Sequence, residues 1–311
     1  MIQVDNLTRY YGEFAALEGV SFQLHEGEIV GLLGLNGAGK STTLKILAGL
    51  LMPSIGSVRV DGVDLLTEPD RVRGAIGFLP EEPPLYRDMT VQAFLEHAGR
   101  IKGMSTAAVR ERMPSVIATC DLQGREHQVI GTLSHGYKKR VGIAMAIIHR
   151  PKLIILDEPI SGLDPAQIVE MRRVVRSLAQ GAAVIVSSHI LSEISQTCDR
   201  ILVVHGGKLV AQGTEAELVA RSGSQHRLQI TVRGEAAPFG AWLAAQPQVA
   251  RCSARDTQPG LASFIVELKA DDREALLAAL VAKGFGLRLV EAPDDELEEI
   301  FLAFTGTEAA A

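Results

Sequence analysis

The sequence predicts an α/β fold in which an antiparallel β subdomain precedes a mixed-sheet core, a helical subdomain is inserted, and a small α+β domain follows. Three observations carry this expectation. Short aliphatic runs, Ile29-Val30-Gly31-Leu32-Leu33, Leu153-Ile154-Ile155-Leu156 and Ala182-Ala183-Val184-Ile185-Val186, have the continuous apolar character of strands buried on both faces. The first of them feeds Gly34-Leu35-Asn36-Gly37-Ala38-Gly39-Lys40-Ser41-Thr42, which fits G-x-x-x-x-G-K-[ST] between a strand and a predicted helix over 42–51. Glycines at those positions free the backbone to turn its N–H groups toward the β- and γ-phosphates of a nucleotide. Lys40 would neutralise the γ-phosphate and Ser41 would hold Mg²⁺. Past about residue 225 the pattern changes to short strands and helices in the order βαββαβ.

The chain has 311 residues, enough for two domains that each bury a core. Its formal charge is −6, and a basic face for neutralising nucleic-acid phosphates is not expected, with Lys138-Lys139-Arg140 a local exception. Cys120, Cys198 and Cys252 are few and widely spaced, which suggests neither a disulfide framework nor a zinc site and points to a reducing cytoplasm. No apolar run approaches the ~20 residues that span a bilayer. Met1-Ile2-Gln3-Val4-Asp5 lacks the basic and apolar character of an export signal, so dealings with a membrane are expected to go through a partner.

Taken in order, Ile2 to Leu7 and Val20 to Leu24 alternate as antiparallel strands do, with Tyr10-Tyr11-Gly12 between them. A tyrosine there could stack on adenine or be an ordinary half-buried strand aromatic. Pro53 to Gly56 turns the chain into a strand at Ser57 to Val60, and Asp61-Gly62 reads as a hairpin turn. Ile76 to Leu79 is an apolar strand that stops at the hinge-like Pro80-Glu81-Glu82-Pro83-Pro84-Leu85-Tyr86. From Thr90 to about Cys120 the apolar residues Val91, Phe94, Leu95, Ala98, Val109, Met113, Val116 and Ile117 recur at helical spacing, the inserted subdomain. Ser134 is placed to cap a helix with Val141, Ala144, Met145 and Ile148 on its inner face.

The strand at Leu153 ends in Asp157-Glu158-Pro159, two adjacent carboxylates where a parallel sheet places its ligand site. Burying them side by side is unfavourable without a compensating cation or proton. A Mg²⁺–nucleotide would supply the first and an attacking water the second: Asp157 would reach the metal through water, and Glu158 would polarise the nucleophile. Ser161 to Asp164 turns into a further helix, and the strand at Ala182 ends at His189, placed to contact the γ-phosphate. Ile201 to Val204 and Gly207 to Val210 suggest a closing hairpin.

Together these pieces resemble the ATP-binding cassette of ABC transporters, a P-loop NTPase fold, from about Ile2 to Leu218. Walker A matches at Gly34 to Thr42, Walker B at Leu153 to Glu158, the D-loop at Ser161 to Asp164, the switch histidine at His189, and the LSGGQ signature at Leu133-Ser134-His135-Gly136-Tyr137. His135 and Tyr137 stand where the signature has Gly and Gln, while Ser134 and Gly136, the donors to γ-phosphate, are kept. Glu81 stands at the family's hinge glutamine, and the Leu79-Pro80-Glu81 variant is similar to type-2 exporters and gliding-motility-like ATPases. The resemblance implies ATP and Mg²⁺ as cofactors. It assigns Lys40, Glu158 and His189 to catalysis, Ser41, Glu81 and Asp157 to the metal, and Tyr11, Gly34, Asn36, Gly37, Gly39, Lys40, Ser41, Thr42, Ser134 and Gly136 to the nucleotide.

It also implies head-to-tail pairing with a second cassette, in a homodimer or a heterodimer, in which the signature serine of one covers the nucleotide of the other. The partner that moves would be a transmembrane permease met through Pro83 to Arg87 and the helical subdomain, with the chain cytoplasmic and peripheral on the inner membrane face. A soluble ABC-type ATPase acting on nucleic acid or ribosomes is the alternative. It is disfavoured because paired cassettes, a long coiled-coil insertion and zinc modules are not visible, and no nucleic-acid partner is expected. A cassette that does not hydrolyse is a third reading, resting on Glu81 and His135.

The expected domains are 1–222 for the cassette and 226–305 for the C-terminal part, with a linker near Arg221-Ser222-Gly223-Ser224-Gln225 and a tail at 306–311. The second domain is expected to be a small ferredoxin-like layer. It has strands at Arg227 to Val232, Val249 to Ala254, Ala262 to Leu268 and Leu287 to Glu291, and helices at Phe239 to Ala245 and Asp271 to Lys283. Asp271 would cap the second helix and Leu276, Leu277, Leu280 and Val281 would face inward, with a last helix at 294–304. It carries no catalytic constellation, and reads as a regulatory or assembly module or as a packing appendage.

Overall fold

A computed structural model describes residues 1–222, 227–255 and 260–291, and the expected last helix at 294–304, the tail and most of the linker lie outside them. The chain divides into two compact units, Met1–Glu215 and Ala216–Ala311. The first opens with the hairpin of β1 (Ile2–Tyr11) and β2 (Phe14–Leu24). Both strands run further than the alternation suggests, because the two-residue loop Gly12-Glu13 closes directly after Tyr11, which pairs with Phe14. β3 (Ile29–Leu33) leads into α1 (Lys40–Leu47), which starts two residues earlier than expected and stops just ahead of Gly49, a common helix terminator. β4 (Ile55–Val60) and β5 (Val63–Asp64) pair through Asp61-Gly62. A short helix that sequence periodicity did not signal, α2 (Pro69–Gly74), precedes β6 (Ile76–Leu79).

α3 (Val91–Ile101) and α4 (Thr106–Thr119) form the inserted pair, capped by Thr90 and Ser105, whose hydroxyls accept from the N–H groups of Ala93 and Ala108. Their buried residues are the apolar stripe read from the sequence. There follow α5 (His135–Ile147), β7 (Leu153–Asp157), α6 (Pro165–Leu178), β8 (Ala183–Ser188), α7 (Leu191–Ser195), β9 (Arg200–His205), β10 (Lys208–Gly213) and α8 (Glu215–Ser222). One sheet is antiparallel in the order β2-β1-β4-β5; the other runs β10-β9-β3-β8-β7-β6, parallel throughout except for β10 against β9. Leu44, Ile46 and Leu47 of α1 share one apolar core with the inner residues of both sheets.

α5 departs from its expected one-sided pattern. Val141, Gly142, Ile143, Ala144, Ala146 and Ile147 are all buried while Met145 is only half-buried, because the helix is packed against β6 and β7 on one side and α3 and α4 on the other. Its approach to β6 depends on glycine: a Cβ at Gly77 would overlap the Ala146 carbonyl, and one at Gly142 would lie 2.5 Å from the Leu79 side chain.

The second unit contains β11 (Arg227–Arg233), α9 (Ala236–Ala244), β12 (Val249–Ala254), β13 (Leu261–Leu268), α10 (Arg273–Ala282) and β14 (Gly286–Glu291). Its antiparallel sheet is ordered β12-β13-β11-β14, the split-βαβ order expected of the ferredoxin-like layout. Phe239, Leu243, Leu276 and Leu280 fill its core with the inner residues of β11 and β13. Two local expectations are corrected. Asp272 rather than Asp271 occupies the N-cap, without a side-chain bond, while Asp271 pairs with Arg273 at 3.0 Å; and Val281 points outward, 58% exposed, because it lies about 100° round the helix from the inward Leu280.

Gly77→Ala is expected to destabilise the full chain by about 1–3 kcal/mol, the range for forcing extra carbon into a packed interior, seen as a lower urea midpoint. A midpoint equal to the parent's would contradict the close seating of α5 on β6.

Candidate functional site

The phosphate loop leaves β3 at the middle of the six-stranded sheet, between β8 and β9. Gly39 holds φ +109°, and a side chain there would also meet Leu17 and the Ala16 carbonyl oxygen within 2.8 Å, so the motif glycine is required for both conformation and space. Lys40 is buried, and its Nζ donates to the Gly34 carbonyl at 2.6 Å and the Leu35 carbonyl at 3.4 Å. Burial pushes its pKa down while Glu158, Asp157 and Glu81 push it up, with burial prevailing. Ser41 is exposed on the first turn of α1.

A cavity of about 350 Å³ opens over this loop. Its wall brings together Tyr11, Asn36, Gly37, Gly39, Lys40, Ser41, Thr42, Glu81, Glu158 and His189, ten of the residues singled out from the sequence, from five separate stretches of chain. Gly34 lies beneath, presenting its carbonyl to Lys40. Phe14, Ala16 and Leu35 complete the lining. Phe14 went unnoticed in the sequence, although the hairpin sets it across from Tyr11 and leaves it 65% exposed at the rim. The Arg9 guanidinium lies 5.1 Å from the centre of the Tyr11 ring and donates to the Met52 carbonyl at 3.0 Å, steadying the aromatic.

β7 delivers the acids. Asp157 stands behind the cavity wall, buried, with its Oδ1 accepting from the Ser187 hydroxyl at 2.6 Å. Ser187 Oγ in turn accepts from the Glu158 N–H at 3.0 Å, so β8 orients both acids through one hydroxyl. Glu158 holds the left-handed φ of +47°, a disfavoured conformation for a residue with a side chain. Burial raises its carboxyl above the usual carboxylate range, against the lowering effects of His189 and Lys40. His189 Nδ1 lies 3.1 Å from both Glu158 carboxylate oxygens. The sequence expectation gave His189 to the γ-phosphate; in this arrangement its near partner is Glu158.

Ser134 and Gly136 do not line the cavity. Ser134 is exposed at the N-cap of α5, but its hydroxyl makes no cap bond, contrary to the capping role expected of it. Gly136 is buried, and a side chain there would meet Gln167 Oε1 at 2.8 Å. The two departures from the signature have local neighbours: His135 packs over Gly162 of the turn before α6, and the guanidinium groups of Arg125 and Arg140 lie over the Tyr137 ring, 4.8 and 5.4 Å from its centre. Asp164 caps α6 by accepting from the Gln167 N–H at 2.9 Å. Among the described residues no cluster of three or more His, Cys, Asp or Glu could hold a metal by itself, and no helix is long and apolar enough to cross a membrane.

Comparison with known proteins bears on the same stretch. The family model described as "ABC transporter" matches residues 17–161. The chain is 34% identical over 303 residues to the ABC transporter ATP-binding protein YxlF of Bacillus subtilis, covering 97% of this chain and 98% of that protein. It is 31% identical to the linearmycin resistance ATP-binding protein LnrL of the same organism over 98% of each chain. The bacitracin transport ATP-binding protein BcrA of Bacillus licheniformis is 36% identical over 68% of this chain and 69% of its own length. Among solved structures, an ATP-binding subunit of an ABC transporter superposes with a TM-score of 0.65 at 34% identity, over 72% of this chain and 93% of that one. The dimeric cassette MJ0796 gives 0.62 at 28% identity, over 69% and 98%. The likeness to YxlF and LnrL runs through both units and the cassette structures match most of the first, so the chain belongs to the ABC transporter family as an ATP-binding ATPase subunit.

Proposed function

We propose that this subunit drives an exporter of the type-2 group by hydrolysing ATP between two cassettes docked on a separate transmembrane permease. The observation that carries the reading is the meeting, in one cavity, of a buried lysine held inside a phosphate loop and a desolvated carboxylate tied to a histidine. The names of the relatives support export in particular: linearmycin resistance, bacitracin transport and Nod factor export.

In this reading adenine lies on Tyr11 at the β1–β2 hairpin, with Phe14 beside it. Asn36, Gly37, Gly39 and Thr42 wrap the phosphates, and Lys40 exchanges the Gly34 and Leu35 carbonyls for phosphate oxygens. Hard oxygen donors, the Ser41 hydroxyl and the Asp157 and Glu81 carboxylates, suit Mg²⁺, which usually takes one or two protein carboxylates and the substrate's phosphates rather than an all-protein cage. When bound, the ion would neutralise charge on the β- and γ-phosphates. Glu158 takes a proton from water as the water oxygen bonds to the γ-phosphorus. The bond to the bridging oxygen breaks, and ADP leaves with the electron pair. His189 holds the Glu158 carboxylate through Nδ1 and, when protonated, can offer Nε2 to a γ-phosphate oxygen.

Ser134 and Gly136 lie outside their own chain's cavity, so they serve a nucleotide bound by a second cassette, in a homodimer or with a related chain. The permease is met through Pro83 to Arg87 and the helical pair, which places the chain on the cytoplasmic face of the membrane. Tyr86 fits that surface: it is 55% exposed, with Phe94 edge-on 5.9 Å away.

Three outcomes are expected. Glu158→Gln should bind ATP normally and lose ~10²–10⁴-fold in turnover; unchanged hydrolysis would remove Glu158 from the role of base. The same variant with saturating ATP and Mg²⁺ should double its mass in light scattering, and particles that stay single even with the permease present would sink the two-cassette site. Because hydrolysis needs the ionised carboxylate and burial raises the pKa of Glu158, the acid limb of the turnover–pH profile should lie above the ordinary carboxylate range. A limb at or below that range would contradict the desolvated base.

A further inference from the structure

Among the described residues, Lys139 is the one side chain that hydrogen-bonds the signature helix to both acid-bearing segments of the site. It lies on α5, five residues after Ser134, and is 2% exposed. Its Nζ donates to the carbonyl of Glu81 at 2.7 Å and to the carbonyl of Glu158 at 3.0 Å. Both partners are main chain, so the bonds act on backbone orientation rather than on carboxylate charge. Glu81, Glu158, Asp157 and Glu82 surround the ammonium and favour its charge, against the larger opposing effect of burial.

The place where Lys139 acts is under strain. Glu158 sits at φ +47°, where a non-glycine residue carries an energetic penalty and persists only when its surroundings pin it. The pins are the Ser187 hydroxyl on its N–H, and Lys139 together with the Ser161 N–H (3.3 Å) on its carbonyl. Ser187 comes from β8, the neighbour of β7, and Ser161 from the turn just after Glu158. Lys139 alone comes from the helix that begins with the signature serine. An apolar side chain of the same length could fill the space, but it would leave the Glu81 and Glu158 carbonyls without this donor. Volume alone therefore does not account for an ammonium here.

We propose that Lys139 is a positioning residue for hydrolysis: by bonding the Glu81 and Glu158 carbonyls together, it transmits the placement of the signature helix to the hinge loop and to the water-activating carboxylate. Gly77 and Gly142 make this possible, since only close seating of α5 on β6 brings a lysine stem within reach of both carbonyls. The inference rests on Glu158 being the base.

The test compares Lys139→Met, which keeps length and removes the donors, with Lys139→Gln, which keeps N–H donors and removes the charge. Both are made in the full chain and assayed with Mg-ATP, together with its co-purifying membrane protein where the chain alone is silent. Lys139→Met is expected to lower kcat by about 10- to 100-fold, the scale of a misplaced catalytic group, with ATP affinity close to the parent's and a lower Tm, because two carbonyls lose a buried donor. Lys139→Gln should recover most of that loss. A parent-like kcat in Lys139→Met, a loss of ATP affinity as large as the loss of kcat, a glutamine variant no better than the methionine one, or a methionine variant that does not fold would each overturn the proposal. Glu158→Gln run alongside separates the two ideas. If it keeps turnover, the reading of Glu158 fails; if it is inactive while Lys139→Met is normal, only the role of Lys139 fails.

Discussion

Two carboxylates on adjacent residues, Asp157 and Glu158, are carried by a fully buried strand to positions only 7% and 9% exposed, and the rest of the cassette is arranged around making that tolerable. An ionised carboxylate out of water is unfavourable by several kcal/mol unless hydrogen bonds or opposite charge offset it. Here Ser187 donates to Asp157, His189 faces Glu158, and the cations of Lys40 and Lys139 lie within electrostatic reach of both. Ser187 and His189 come from the end of β8, Lys40 from α1 and Lys139 from α5, so the acids hold β8, α1 and α5 in one relation. The same desolvation that makes the acids unfavourable makes Glu158 a stronger proton acceptor than a surface carboxylate would be.

Sheet order explains how those elements meet. β3 runs between β8 and β9, and β7 and β6 follow on the β8 side, all parallel, so the phosphate loop, the acids, His189 and the hinge loop emerge from the same edge. The antiparallel sheet adds the aromatic hairpin from the side. The signature residues stand apart from this gathering. Their helix is seated on β6 through Gly77 and Gly142 and cross-braced by Arg140, whose guanidinium pairs with Asp121 and Glu170. A cassette built this way gathers the phosphate loop, Glu158 and His189 around one cavity and leaves Ser134 and Gly136 outside it. That geometry agrees with the proposed pairing.

The two signature departures become intelligible at the level of neighbours. A glycine at 135 would leave the D-loop turn uncovered, whereas His135 packs on Gly162; a glutamine at 137 could not hold two arginines by their faces, as Tyr137 does. Neither change touches the loop that holds Lys40. In the second unit the described four-stranded sheet, α9 and α10 close their own core around Phe239, with Phe264 edge-on at 5.4 Å.

By itself the sequence determined what short-range patterns encode: the buried strands, the phosphate loop, the paired acids at a strand end, the inserted helical subdomain and the βαββαβ order of the C-terminal unit. Those features are written in residues a few positions apart, where periodicity and turn chemistry act. Tertiary structure alone decided what depends on residues far apart in the chain. It set Ser187 between the two acids, turned His189 onto Glu158, and enclosed α5 so completely that its one-sided pattern dissolved. Lys139 is the sharpest case: beside Lys138 and Arg140 it reads as one charge in a basic run, and only the close seating of α5 on β6 buries it against two carbonyls, 58 and 19 residues away. A side chain's partners are fixed by which elements pack together, and no local pattern carries that information.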